Sequence, residues 1–340
     1  MRVNCTLEEI RQAAARLAPH LLPTPCLESD WLSERAGRPV YVKWESLQRT
    51  GSFKLRGALN KLLLLQARGV TRVLAISAGN HGLGVAYAAR RLGLHATVVV
   101  PEGAAQNKVA AIVRQGAALV VRGHNYDEAE LAARALAEER GEAFVSPYND
   151  LELIAGQATV ALELLEQVRC DALLVPTGGG GLLSGALLVA QAIAPETQVY
   201  GAQPAHAPAL HTALHAGRRV VVQEEPTLAD GLAGNLEEGS VTLPIILSGQ
   251  TRDIFLVRER AIERAIRGFA QHDHQIVEGS GAVGAAALLE QDDERRRRQD
   301  QPYEPPLPGQ GPVGLLVTGR NIDLGPLARI LTSTEMTPPP

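Results

Sequence analysis

Lysine is scarce in this 340-residue chain. Of 33 basic side chains only Lys43, Lys54, Lys61 and Lys108 are lysines, which leaves 33 − 4 = 29 arginines, so chemistry that needs a primary amine has four candidates. Positive charge is not in excess either. The 33 basic and 37 acidic residues give a net charge of −4, which excludes a global basic field for nucleic acid or an anionic membrane surface. Cysteine is limited to Cys5, Cys26 and Cys170, far apart and outside any Cys-x-x-Cys spacing, so neither a disulfide framework nor a zinc site is indicated. Ala172 to Ala194 carries no charge, but Pro176 and four glycines interrupt it, and no transmembrane span is expected. Met1 to Ile10 has charge at Glu8 and Glu9 and no apolar core of signal-peptide length, so a cytoplasmic address is expected.

What is present is a sizeable apolar fraction, 45%, in a length that suggests about two domains. Short β-branched runs recur with helical patterns between them: Val40 to Glu45, Val73 to Ala78, Ala96 to Pro101, Leu119 to Arg122, Ala143 to Ser146, Ala172 to Pro176, Val199 to Gln203, Asp253 to Val257 and Gly314 to Thr318. This βα alternation predicts an α/β fold with mostly parallel sheet, and the uniformly apolar runs predict strands covered on both faces. The one break in composition is Gln291 to Pro312, rich in arginine and then proline, which reads as a solvated, mobile insertion. Residues 331–340 form a tail whose end, Thr337 to Pro340, is expected to fray.

Three clusters carry chemistry. Thr177-Gly178-Gly179-Gly180-Gly181 follows a strand and opens a helix, where converging backbone N–H groups and the helix dipole suit a phosphate; a plain tight turn is the alternative. Lys54 follows the turn Thr50-Gly51-Ser52-Phe53 at a helix start, with Ser52 near the cap, and the dipole there favours the neutral amine that a covalent lysine needs. Lys61 reads as snorkelling, and Lys43 and Lys108 as surface charges. Ser77-Ala78-Gly79-Asn80-His81-Gly82 again ends a strand and opens a helix, offering donors to a carboxylate, unless Asn80 only caps the helix and His81 is an ordinary turn residue.

Taken together with the rest of the chain, these clusters resemble the fold type II pyridoxal-phosphate enzymes, specifically the threonine/serine dehydratase (ammonia-lyase) and serine racemase group. The matching segments are Glu45 to Ala58 (ESLQRTGSFKLRGA), Ser77 to Gly84 (SAGNHGLG), Ile154 to Thr159 (IAGQAT), Pro176 to Leu182 (PTGGGGL), Ala229 to Gly231 (ADG), Glu278 to Gly284 (EGSGAVG) and Val317 to Asp323 (VTGRNID), in family order over most of the chain. The resemblance implies two open, mostly parallel sheets with pyridoxal 5'-phosphate in the cleft between domains. It implies a large cofactor-binding domain of residues 1–71 and 151–330, a small domain of 72–150, and a homodimer.

By the same resemblance Lys54 binds the cofactor covalently and removes the substrate's α-proton, and Phe53 packs on the ring. Asn80 contacts the pyridine hydroxyl oxygen, and Gly178, Gly179, Gly180 and Gly181 hold the phosphate. Gly231 and Glu278 are further cofactor contacts. Thr318 faces the pyridine nitrogen, and a neutral hydroxyl there favours elimination over transamination. Ser77, Ala78, Gly79, Asn80 and His81 receive the substrate carboxylate, and Tyr148 is a candidate reader of the substrate side chain, with Ser146 and Arg320. The implied reaction is loss of water from L-threonine or L-serine to give a 2-oxo acid and ammonia.

The chain departs from the family pattern in three places. Ala78 stands where a racemase has a second serine, so elimination is expected over racemisation. Gln203, Ala207 and Ala209 stand where some relatives bind a divalent cation, so no metal is expected there. Arg320 replaces a small residue; it could reach the phosphate, the substrate or only solvent. Two other activities stay open at this stage: a dehydratase for 3-hydroxyaspartate or a hydroxyectoine-derived diamino acid, and serine racemase. A non-catalytic phosphate- or nucleotide-binding protein is the alternative of a different kind.

Overall fold

The computed structural model describes residues 4–249, 251–297, 307 and 309–333. The strands, in chain order, are β1 (Cys26–Glu28), β2 (Val40–Trp44), β3 (Arg72–Ile76), β4 (His95–Val100), β5 (Ala118–Val121), β6 (Ala143–Val145), β7 (Ala172–Pro176), β8 (Gln198–Pro204), β9 (Thr251–Val257) and β10 (Val313–Val317). Nine of them fall on the expected runs. The tenth, β1, lies outside them, being only three residues long and pairing antiparallel to β2 at the sheet edge.

One sheet has the order β1-β2-β10-β7-β8-β9 and the other β5-β4-β3-β6. Apart from β1, all pairs are parallel. Alternate residues of one strand enter different cores: Leu173 and Val175 of β7 face one helical layer, while Ala172 and Leu174 face the other. In β3, Val73 and Ala75 point one way and Leu74 and Ile76 the other. Burial on both faces is why these strands read as continuous apolar runs.

The helix Lys54–Ala67 lies between the two sheets. Leu55, Leu59 and Leu62 join the core formed with Val73, Val98 and Val85 of the four-stranded unit. On its other side this helix crosses Leu151–Gln167 closely: a Cβ on Gly156 would come within 2.9 Å of the Gly57 Cα. Glycine at both positions lets the two backbones meet.

The same helix is held by a buried ionic cluster. Arg56, 1% exposed, donates to both carboxylate oxygens of Glu45, at 2.8 and 2.7 Å, and to both of Glu163, at 2.5 and 2.9 Å. Burial works against the guanidinium charge, but the two carboxylates outweigh it and raise its pKa. Lys43 completes the cluster. In place of the expected surface position it is 1% exposed and bonded to Glu163 and the Thr24 carbonyl, each at 2.6 Å. Its strand is covered on both faces, so the ammonium is buried and must be paired. Lys61 does not snorkel to solvent but pairs with Asp150 and Glu152 at 2.6 and 2.8 Å.

The segment expected as a mobile insertion is corrected at both ends. Residues 291–297 continue the helix Gly279–Arg297, with Asp292 buried and bonded to Arg295 and Arg296. Gly309 and Gly311 are held against β7 through Arg38, and the Gly311 N–H donates to Asp171. The rest of that segment, 298–306 and 308, and the expected frayed end, 337–340, lie outside the described residues, while the first residues of the tail close the helix Leu324–Thr332. Among the described residues no helix is long and apolar enough to cross a membrane.

Replacing Arg56 by Met leaves the fully buried Glu45 carboxylate without its counter-charge, while Glu163 keeps Lys43, and a loss of about 3–5 kcal/mol of stability is expected, measured by urea unfolding.

Candidate active site

Ligands in open parallel sheets bind beyond the carboxyl ends of the strands. Here β3 runs into Ser77–Asn80, β6 into Ser146–Tyr148, β7 into Thr177–Gly181 and β10 into Thr318–Asn321, and all four loops face one cavity of about 540 Å³. Phe53, Lys54, Ser77 to His81, Tyr148, Gly178 to Gly181, Gly231, Glu278 and Thr318 all line it. Arg320 does not; it is exposed, and its backbone N–H donates to the Gly51 carbonyl.

The Lys54 turn is sewn to the end of β10. The Phe53 N–H donates to the Thr318 carbonyl at 3.0 Å and Arg320 N–H to Gly51 at 2.9 Å, around a bridge between Ser52 and Gly319. Phe53, not Ser52, precedes the first helical residue, and no side chain caps the helix. Lys54 Nζ donates to the Pro147 carbonyl at 3.0 Å. Lys43, Lys61 and Lys108 each meet a carboxylate, but Lys54 meets none among the described residues. Burial alone therefore acts on it and lowers its pKa to about 8. Lys108 is at the cavity, not simply on the surface, and is paired with Asp230 at 2.6 Å.

The glycine loop has the features of an anion cradle. Gly180 has φ +88°, a left-handed conformation that turns the chain into the helix Gly181–Ile193. A Cβ on Gly179 would lie 2.5 Å from the Tyr148 ring, and one on Gly180 2.7 Å from Ile246. Among the described residues the N–H groups of Gly178, Gly179, Gly180 and Gly181 take no partner in the protein. Unpaired donors at a helix N-terminus fit a phosphate group. Tyr148 supports this loop: its ring packs on Gly179 and its hydroxyl accepts from the Glu237 N–H at 2.7 Å. Ser146, bonded to Glu237, does not line the cavity.

Asn80 opens the helix Asn80–Leu92, with Gly79 preceding it, so its side chain does not cap. Its amide is clamped instead: Nδ2 donates to Glu278 at 2.6 Å, and Oδ1 accepts from Asn321 at 2.7 Å. The second N–H of Nδ2 remains for a ligand oxygen. Glu278 also accepts from the Asn321 N–H at 3.0 Å. Burial, reinforced by Asp230, raises its pKa to about 7. Asn321 is the site residue that sequence reasoning missed: it lies within the VTGRNID segment beside Arg320, but nothing in the sequence pairs it with Asn80, 241 positions away.

His81 is 2% exposed, and its Nε2 bonds the Val145 carbonyl at 2.9 Å. A carbonyl only accepts, so Nε2 carries the proton and Nδ1 is a bare acceptor without a partner among the described residues. Burial and the nearby Lys54 charge lower its pKa to about 3. Gly231 donates to Ser280 Oγ at 3.0 Å, and Thr318 Oγ lies 3.3 Å from the Ser280 carbonyl. Gln203, the first of the three positions where no metal is expected, is buried, and its side chain accepts from the His211 N–H at 3.0 Å.

A lysine without a counter-charge beside unpaired N–H donors at a helix start, at the carboxyl ends of parallel strands, suits an enzyme that carries a phosphorylated carbonyl cofactor. The chain belongs to the pyridoxal-phosphate dependent enzyme family, which matches residues 17–302. It is 37% identical to the L-threonine ammonia-lyase of Thermotoga maritima over 96% of this chain and 78% of that protein. To the serine racemase of Arabidopsis thaliana it is 35% identical, over 94% and 93% respectively. Among solved structures, maize serine racemase superposes with a TM-score of 0.87 at 32% identity, covering 96% of this chain and 96% of that one. The fold is that of the fold type II pyridoxal-phosphate enzymes.

Glu278 generates a pH test. Its folded-state pKa is above the ordinary value, so ionising it costs stability; the cost is absent below about 4.5 and complete above about 7. Glu278→Gln removes the ionisation. In the cofactor-free protein the stability of the variant relative to wild type is expected to rise by about 3 kcal/mol between those pH values, read by urea unfolding at each pH.

Proposed function

We propose that this protein is a pyridoxal-phosphate-dependent ammonia-lyase that eliminates water from L-threonine or L-serine, giving a 2-oxo acid and ammonia. The observation that carries the reading is the buried, carboxylate-free amine of Lys54 in the same cavity as four unpaired glycine N–H groups.

Bound pyridoxal phosphate supplies an electron-withdrawing ring that stabilises the negative charge left on the substrate α-carbon. The glycine loop and the dipole of its helix hold the phosphate. Asn80, clamped by Glu278 and Asn321, presents its free N–H to the ring oxygen, and Phe53 and Thr318 bound the ring site. Lys54 would hold the cofactor covalently until the substrate's own amine displaces it; the lysine amine so released, kept partly neutral by burial, is placed to take the α-proton. The substrate carboxylate is received in the Ser77–His81 loop by the backbone N–H groups left over, since those of Ser77 and Gly79 already donate to the Val99 carbonyl and to Ser77 Oγ. The His81 ring does not bind that carboxylate, because its bare Nδ1 would repel a carboxylate oxygen.

The cavity favours an uncharged substrate side chain. Apart from Lys54, the one lysine or arginine lining it among the described residues is Lys108, already paired with Asp230. A distal carboxylate such as that of 3-hydroxyaspartate would meet no free cation, which supports threonine and serine. We propose also that the Phe53–Lys54 turn and the Ser77–His81 loop sit on two lobes that close on the substrate. The chain is further proposed to act as a cytoplasmic homodimer, in which a second copy covers the apolar side chain of Leu27, 56% exposed on the edge strand β1.

Lys54→Ala is expected to abolish 2-oxo acid release from both substrates while leaving the circular dichroism spectrum unchanged. Borohydride reduction of the wild type should place the pyridoxyl group on Lys54 by peptide mapping; recovery on Lys43, Lys61 or Lys108 would refute the assignment.

Ala78 lines the cavity and presents only a methyl group, where a second proton donor would be required to invert the α-carbon. Wild type is therefore expected to release pyruvate from L-serine much faster than it forms D-serine, and Ala78→Ser to raise D-serine formation, both followed by chiral chromatography.

A further inference from the structure

Away from the cavity, the helix Ala209–Ala216 carries His211 and His215 four residues apart, which puts both imidazoles on one face. Their ring centroids are 4.4 Å apart. The neighbouring strand β9 brings Asp253 to the same spot, with its Oδ1 3.2 Å from His215 Nε2. One ligand atom from each of the three residues lies within 4.8 Å of the other two.

The protonation of His211 follows from its partner. Its Nδ1 is 2.8 Å from the Ile254 carbonyl, so Nδ1 must carry the hydrogen and Nε2 keeps a lone pair. A backbone carbonyl behind one nitrogen is how metal-binding histidines are oriented and kept in the ligating tautomer. The helix beneath is fixed, since the His211 N–H donates to Gln203 and Leu210 is fully buried. The other two ligands are adjustable: the side chains of His215 and Asp253 are 56% and 44% exposed. Tetrahedral bonds of about 2.0–2.2 Å place ligand atoms roughly 3.3–3.6 Å apart, and rotation of these two exposed side chains closes the remaining gap.

We propose that His211, His215 and Asp253 form a surface site for one divalent transition-metal ion of the zinc type, with water in the fourth position. Two imidazoles and a single carboxylate suit such an ion and not magnesium or calcium, which require mostly oxygen ligands. The site is distinct from the positions Gln203, Ala207 and Ala209, and it does not depend on the proposed reaction.

The test is calorimetric titration of the chelator-treated, dialysed holoenzyme with zinc chloride, repeated with His215→Ala and Asp253→Asn. The described side-chain partners of these two residues are each other, the His211 ring and the adjacent Ile254 N–H, so neither change threatens the fold. Wild type should bind one zinc ion with a dissociation constant of about 1–10 μM, and both variants should bind it at least tenfold more weakly. The melting temperature should rise with zinc in wild type and not in His215→Ala. Absence of binding up to about 1 mM zinc, or an unchanged affinity in either variant, overturns the proposal.

Discussion

The buried guanidinium of Arg56 is the contact on which the rest of the site depends. It lies two residues after Lys54 on the same helix and ties that helix to Glu45 at the end of β2 and to Glu163 of the helix Leu151–Gln167. Lys43, Arg56 and Glu45 are taken from water fully and Glu163 in large part, which is stable only while each charge is answered. With Arg56 and Lys43 against Glu45 and Glu163, the charges balance. An ionic cluster of this kind admits few alternative packings, which suits a helix whose first residue must hold its amine in one place.

The surroundings of that amine follow a different rule. Every other lysine is neutralised by a carboxylate, whereas Lys54 is buried and left with a carbonyl. Desolvation unopposed by a counter-charge is what favours the neutral base. Polar groups on the opposite wall are committed to one another: Glu278 and Asn321 between them fix both ends of the Asn80 amide. Burying Glu278 costs stability, and in exchange one N–H is held in a fixed orientation.

Much of this is legible in the chain itself. Strands such as β3, β4 and β7 are readable because burial on both faces leaves continuous apolar runs, the part-exposed β5 and β9 because of their β-branched residues, and β1 is not, because three half-exposed residues carry no pattern. The glycine loop is readable because four consecutive glycines have few other uses. Lys43 and Lys108 read wrongly as surface charges, since a charge in a strand or helix looks solvated until its partner is known. Composition assigns the stretch 291–297 to an insertion, although Asp292 anchors it as helix by pairing with arginines three and four residues on.

By itself the sequence determined the α/β alternation, the family, and which residue types stand at the ends of which strands, because those properties are local or set by spacing along the chain. Tertiary structure alone decided the partners. That Lys54 lacks a carboxylate, that Asn80 is clamped from 198 and 241 positions away, and that two histidines meet Asp253 are consequences of distant segments brought within a few ångströms. Charge and hydrogen bonding act over such distances, and no local pattern records which residues will be within them.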